Sequence, residues 1–155
     1  MLRTIRLSAL ADAPSAFGST FAAESDRPDA EWLQRAEAGA TGSMRATWFA
    51  FDESGDAVGL VGGFRDTPDA SYVELVSMWV APAARRRGVA RALIAAVVEW
   101  ARETGAENVR LWVTCGNDSA ESLYRAAGFV ETDERQPLPS DPSKEERRMT
   151  LRVEA

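Results

Sequence analysis

Three consecutive cations open an apolar helix in the stretch VAPAARRRGVARALIAA, residues 80–96. Helix N-termini carry partial positive charge and favour acids in the first turn. Here Arg85, Arg86 and Arg87 stand at the entrance, Gly88 follows, and no acid appears before Glu99. The first backbone N–H groups of a helix have no partner inside it. A phosphate accepts several of them at once with help from the dipole, and flanking arginines add charge-assisted bonds. Gly88 and Ala90 carry no bulky side chain, so a large anion can approach the backbone. The pattern reads as an anion cradle over Arg85–Arg91; the bland reading is a solvated helix end.

Other chemistry is narrowed by what the chain lacks. There is no histidine. A general base must therefore be a carboxylate, a tyrosinate, the thiol of Cys115, the amino terminus or water, and Ser-His-Asp, Cys-His and most zinc chemistry drop out. No metal is expected. The arginine turn has neither the Lys-Ser/Thr ending of a phosphate-binding loop nor G-x-G-x-x-G, so ATP and NAD are not favoured. A net charge of −6 and the lack of a second basic cluster argue against a nucleic-acid partner and mildly favour a cationic one. No apolar run approaches ~20 residues, so no membrane partner is expected. One cysteine permits no internal disulfide, which fits a reducing, cytoplasmic setting. Arg3 and Arg6 precede Asp12 without an apolar centre of about seven residues, against a secretory signal.

These residues need a scaffold. The chain of 155 residues has the size of one domain, with no linker or repeat, so residues 1–155 read as a single α+β unit with a mixed sheet. Apolar spacing predicts helices over 2–11, from Asp29 onward, from the arginine turn to about Thr104, and over 117–127. A hairpin spans ATWFAFDESGDAVGLVGGFR with its turn at Ser54-Gly55-Asp56, and its glycines allow close backbone approach. SYVELVSMWV reads as a strand over 71–80, with Tyr72, Glu74, Val76, Met78 and Val80 on one face. NVRLWVTC is a strand over 108–115. Two further strands, near 129–134 and 147–153, are expected to flank a loop, QPLPSDPSKEE.

R-x-x-G-x-A at Arg85, Gly88 and Ala90, after LVSMWVAP, resembles the acetyl-CoA signature of the GCN5-related N-acetyltransferase (GNAT) superfamily. GNDSAESLYRAAGF, residues 116–129, is similar to a second family segment, in the right order and about 30 residues on. ALADAPSAFGSTFAAE and PLPSDPS look like a bacterial branch. The resemblance implies a three-layer α/β/α fold with a mixed, mostly antiparallel sheet and one splayed parallel strand pair, 71–80 with 108–115. It also implies a strand ahead of the first helix; this sequence begins inside that helix, so the edge strand is either absent or cut off by a truncated start.

For function, the resemblance implies an N-acetyltransferase with acetyl-CoA as co-substrate, moving acetyl to a primary amine by direct attack in a ternary complex. Backbone at Arg86, Arg87, Gly88, Val89, Ala90 and Arg91 would hold the CoA pyrophosphate, with Arg85 beside it. Met78, Trp79 and Val80 would offer a strand edge to the pantetheine arm, which carries amides suited to such pairing. Asn117 would bond that arm or cap its helix. Glu74 matches the acidic position of the histone-acetyltransferase branch and is the expected base. Tyr124 matches the residue beside the CoA sulfur and is the expected acid. The acceptor would be a small-molecule or peptide amine, with the chain's acidity hinting at a cationic one, and folds of this kind commonly pair as homodimers. The rival class is a non-catalytic acyl-CoA-binding regulator on the same fold.

Overall fold

The computed structural model describes residues 1–14, 19–41 and 44–154; residues 15–18 of the stretch ALADAPSAFGSTFAAE lie outside them. The elements run α1 (Leu2–Asp12), α2 (Phe21–Ser25), α3 (Asp29–Thr41), β1 (Arg45–Phe51), β2 (Ala57–Phe64), β3 (Tyr72–Val80), α4 (Val89–Glu103), β4 (Asn108–Thr114), α5 (Asp118–Ala126), β5 (Val130–Leu138) and β6 (Asp141–Arg152). They build a six-stranded sheet in the order β1-β2-β3-β4-β6-β5. Every neighbouring pair is antiparallel except β3 and β4. The α4 crossover supplies the long connection that a parallel pair needs.

Each face of the sheet has its own apolar cluster. On one face Leu93, Ile94, Val97 and Ala101 of α4 pack with Val73, Leu75, Val109, Leu111 and Met149, joined by Tyr124 of α5 and by Phe129. These α4 positions follow the helical repeat, so one stripe is buried while Arg102 and Glu103 stay wet. Glycine lets α4 lie close: a Cβ at Gly59 would meet Leu93 and Val89 at 3.1 Å. On the other face Ile5, Ala9 and Leu10 of α1 cover Leu60 and Trp79. A short one-turn helix, α2, is absent from the sequence expectation; Thr20 caps it by accepting from the Ala23 N–H at 3.2 Å.

The C-terminal hairpin differs from expectation. Most of QPLPSDPSKEE is strand rather than loop, and only the turn between Leu138 and Asp141 lies outside β5 and β6. Three prolines argued for a loop; Pro139 does lie in the turn, and the other two sit where a sheet tolerates them. Pro137 lies on β5, the edge strand, and Pro142 lies on the stretch of β6 that runs past the end of its pairing with β4 at Thr114 and Glu146. Neither position needs an N–H on both sides.

Candidate functional site

The site begins where the parallel pair comes apart. β3 and β4 are paired at only three rungs, Tyr72 with Asn108, Val73 with Val109 and Glu74 with Arg110. Beyond the third rung no ladder joins Leu75–Val80 to Leu111–Thr114. β3 also bulges against β2: the register shifts between Leu60 and Gly62, and Ser77 takes φ 60°. A bulge bends its strand and re-aims the residues after it. Between the separated ends lies a cleft of about 1000 Å³, lined by the end of β3, the entrance of α4, the end of β4 and α5. There the facing edges of both strands are unpaired.

The arginine-glycine turn forms one end of this cleft. A 3-10 turn, Pro82–Ala84, stops β3, and Gly88 with φ 80° delivers the chain into α4 without a side-chain cap. Arg86 holds φ 64°, a left-handed conformation uncommon for a non-glycine residue. Successive left- and right-handed residues aim N–H groups toward a common point, an anion-binding concavity. The N–H groups of Gly88, Val89, Ala90 and Arg91 precede the first internal bond of α4, made by Ala92 to the Gly88 carbonyl at 3.1 Å. No acid lies in the first turn.

The three arginines are not equivalent. Arg85 donates to the Val80 carbonyl at 2.9 Å and pairs with the Asp12 carboxylate. Its side chain therefore ties the turn to the end of α1 while still bordering the cleft. Arg86 lines the cleft, whereas Arg87 is exposed outside it. Arg91 reaches across to the Ala126 carbonyl at 3.3 Å and joins α4 to α5.

Across the cleft, Asn117 accepts from the Ala120 N–H at 3.3 Å, so it caps α5 and borders the cavity at once. Tyr124 is buried edge-on against Phe129, with ring centroids 5.7 Å apart, and also lines the cleft. Burial pushes its phenol well above the ordinary tyrosine range, so the hydroxyl keeps its proton at any working pH. Met78, Trp79 and Val80 line the opposite wall.

Glu74 departs from expectation. Strict alternation would set it on the same face as Met78 and Val80, but the Ser77 bulge adds a residue and resets the count. Val73 and Leu75, its immediate neighbours, share the α4-side core with Val80 and Met78, while Trp79 belongs to the α1 side. Glu74 thus lies on the opposite face from Met78 and Val80. It pairs with Arg110 and, at 2.7 Å, with Arg148. Its side chain is 8% exposed and is not among the residues that line the cleft. Glu74 and Arg110 also form the last rung before the strands part.

Sequence reasoning missed three contributors. Asp12 accepts from the Trp79 indole at 3.0 Å and pairs with Arg85; the Trp79 bond above all holds its carboxyl below the usual aspartate range. Ser77, at the bulge, accepts from Arg6 at 2.9 Å. Buried Glu24 gathers Arg6 at 2.9 Å and Arg35 at 3.2 Å. Only Arg6 gave a local signal, a cation between the inward-facing Ile5 and Ala9; the others depend on contacts between residues far apart in the chain.

Comparison with known proteins agrees with this geometry. Residues 8–129, well over half of the chain, match the Acetyltransferase (GNAT) family. The aminoglycoside N(6')-acetyltransferase type 1 of Serratia marcescens is 34% identical over 90 residues, 58% of this chain and 60% of that protein. The mycothiol acetyltransferase of Renibacterium salmoninarum is 33% identical over 60 residues, 39% of this chain and 18% of that protein. The matched segments span less than two thirds of either relative. A spermidine N-acetyltransferase from Vibrio cholerae, solved with CoA and spermine, superposes with a TM-score of 0.77 over 98% of this chain and 89% of its own, at 19% identity. A splayed parallel pair, a glycine-led cradle at the entrance of the crossover helix and a family match that spans both identify the chain as a member of the acetyltransferase (GNAT) family.

Proposed function

We propose that this protein is an N-acetyltransferase that uses acetyl-CoA and delivers the acetyl group to a primary amine within a ternary complex. The observation that carries the reading is the cleft: one wall is an unpaired strand edge, one end is a ring of free helix N–H groups, and a protonated phenol lies in the opposite wall. An extended thioester with amides along its arm and a diphosphate at its tail fits each feature in turn. The N–H groups of Gly88 through Arg91, with Arg86, take the diphosphate. The β3 edge at Met78, Trp79 and Val80 takes the pantetheine amides, and Asn117 faces the same arm. Arg87, outside the cleft, adds long-range attraction only. Arg85 acts by holding the turn.

The chemistry then follows. An alkylammonium, with pKa near ~10, must lose its proton before it has a lone pair to attack with. Doubly ion-paired and buried, Glu74 is better suited to fixing the root of the cleft than to accepting that proton, so water is the base in this reading. The amine nitrogen bonds to the thioester carbonyl, and a backbone N–H at the end of β3 steadies the oxyanion. The C–S bond breaks as the tetrahedral species collapses, Tyr124 gives its proton to the departing thiolate, and the proton shed by the cationic amine nitrogen returns to Tyr124 through water. The product is an amide plus free CoA. A thiol-release assay with acetyl-CoA across an amine panel tests the proposal. Amine-dependent release supports it; tight acetyl-CoA binding with no release from any amine replaces it with an acyl-CoA-binding regulator.

A further inference from the structure

A second cavity, of about 670 Å³, lies under α1 and α3 and meets the cleft just described at Val76 and Ser77, which line both. It opens on the face of the sheet away from α4, so a molecule held there reaches the β3 bulge from the side opposite the cradle. Its lining is unlike the whole chain in charge. Arg6, Arg27, Arg35 and Arg45 border it, and Glu31 is the one acid among the lining residues. Glu24 sits buried behind the wall and engages Arg6 and Arg35, while Glu31 accepts from Arg27 at 3.4 Å. Glu24 is shared by Arg6, Arg35 and, at 3.9 Å, Arg27, so among the described residues the four lining arginines outnumber the two glutamates paired with them. The Arg45 guanidinium lies over the Phe64 ring, 5.3 Å from the centroid, and among the described residues no carboxylate is paired with it.

We infer that this cavity binds the acceptor and that the acceptor carries an anionic group, a carboxylate, besides its amine: an amino acid or a peptide with a free C-terminus rather than a polyamine or an aminoglycoside. The inference rests on the transferase reading above and sharpens it. Whole-chain acidity points the other way, but the field inside a cavity is set by the charges that line it, and distant surface carboxylates are screened within about a Debye length of ~10 Å. A planar guanidinium offers a carboxylate two parallel N–H bonds, whereas a polycation would meet an excess of like charge, with Glu31 the one acid among the lining residues and already engaged by Arg27. Arg6 joins the two halves of the site: it lines the cavity and donates to Ser77 at the bulge. An acceptor anchored by its carboxylate at Arg45 and Arg35 would present its amine toward that bulge.

The test compares a dipeptide that has a free C-terminus with its C-terminal amide, and with spermidine, as acceptors for the intact protein. The dipeptide pair has the same amine and differs in the anion alone. The expected result is kcat/KM for the acid at least tenfold above the amide, carried by KM, and spermidine slowest. Arg45→Gln, an exposed substitution, should shrink the acid-to-amide ratio severalfold. Calorimetry with CoA present should show the acid binding more tightly than the amide. Equal constants for acid and amide, a preference for spermidine, or no heat and no turnover with any of the three would overturn the anionic-acceptor assignment. A separate titration with CoA alone distinguishes the failures: heat with CoA leaves the cofactor reading standing, and none removes both.

Discussion

Gly88→Asp is the sharpest perturbation of the cradle, with Gly88→Asn as its uncharged twin. A Cβ at Gly88 would meet nothing within 4 Å, so neither side chain clashes. Both substitutions meet φ 80°, a left-handed conformation that costs an L-residue roughly 1–2 kcal/mol and that Asn and Asp tolerate best. That strain is common to the pair and cancels in the comparison. What differs is one negative charge at the point where the diphosphate is proposed to lie. With two phosphate charges at about 6 Å and an effective dielectric near 40, between the surface and bulk values, Coulomb's law gives about 3 kcal/mol of repulsion before salt. Screening over that distance, with a Debye length of ~10 Å, reduces this to roughly 1.5 kcal/mol, a ~10-fold loss of affinity. Isothermal titration with CoA on both variants, with thermal melts to confirm equal folding, measures it, and raising the salt should narrow the gap. Equal CoA affinity for the Asp and Asn variants would refute the cradle, because no diphosphate held by these N–H groups could ignore a carboxylate at the same residue.

Other outcomes bear on the remaining parts. Tyr124→Phe should lower kcat by about 10²–10⁴-fold, the range of a positioned acid, with acetyl-CoA affinity held within about threefold; steady-state rates and calorimetry check both. The chain has two tyrosines, and Asp66 bonding lifts Tyr72 above its usual value while burial lifts Tyr124 much further. Because the native state binds the Tyr124 proton more tightly than the unfolded chain, stability falls as pH rises past ~10. Phenolate absorbance of the folded protein should then come from Tyr72 and survive Tyr124→Phe, while that variant loses less stability above pH ~10. Glu74→Gln leaves Arg110 and Arg148 facing each other without their shared carboxylate and should destabilise by about 3 kcal/mol; an unchanged melting temperature with a large fall in kcat, worst at low pH, would return Glu74 to the role of base. Asn117→Ala removes the α5 cap and should cost about 1 kcal/mol of stability, with weaker acetyl-CoA binding beyond that, both visible in melts with and without cofactor.

What the sequence disclosed and what it withheld divide along a physical line. Local patterns carried the elements whose reasons are local: the apolar stripe of α4, the hairpin turn at Ser54–Asp56, and the glycine-led helix entrance all stand where spacing placed them. The lengthened β5 and β6 were hidden because a proline's acceptability depends on whether a neighbouring strand needs its N–H, a fact of sheet order. The face of Glu74 was misjudged because counting by twos assumes an unbroken pleat, and a serine gives no warning of a bulge. The Asp12–Trp79–Arg85 and Glu24–Arg6–Ser77 groups unite residues tens of positions apart, and no periodicity could have announced them. The basic cavity is the same case: its arginines come from α1, the α2–α3 junction, α3 and β1.

Acetyl transfer leaves a product that can be weighed. Incubated with acetyl-CoA and a peptide bearing a free amine and a free C-terminus, the protein should yield by mass spectrometry a peptide heavier by one acetyl group, with one CoA released for each. CoA bound by the protein but no acetylated product from any amine would contradict it.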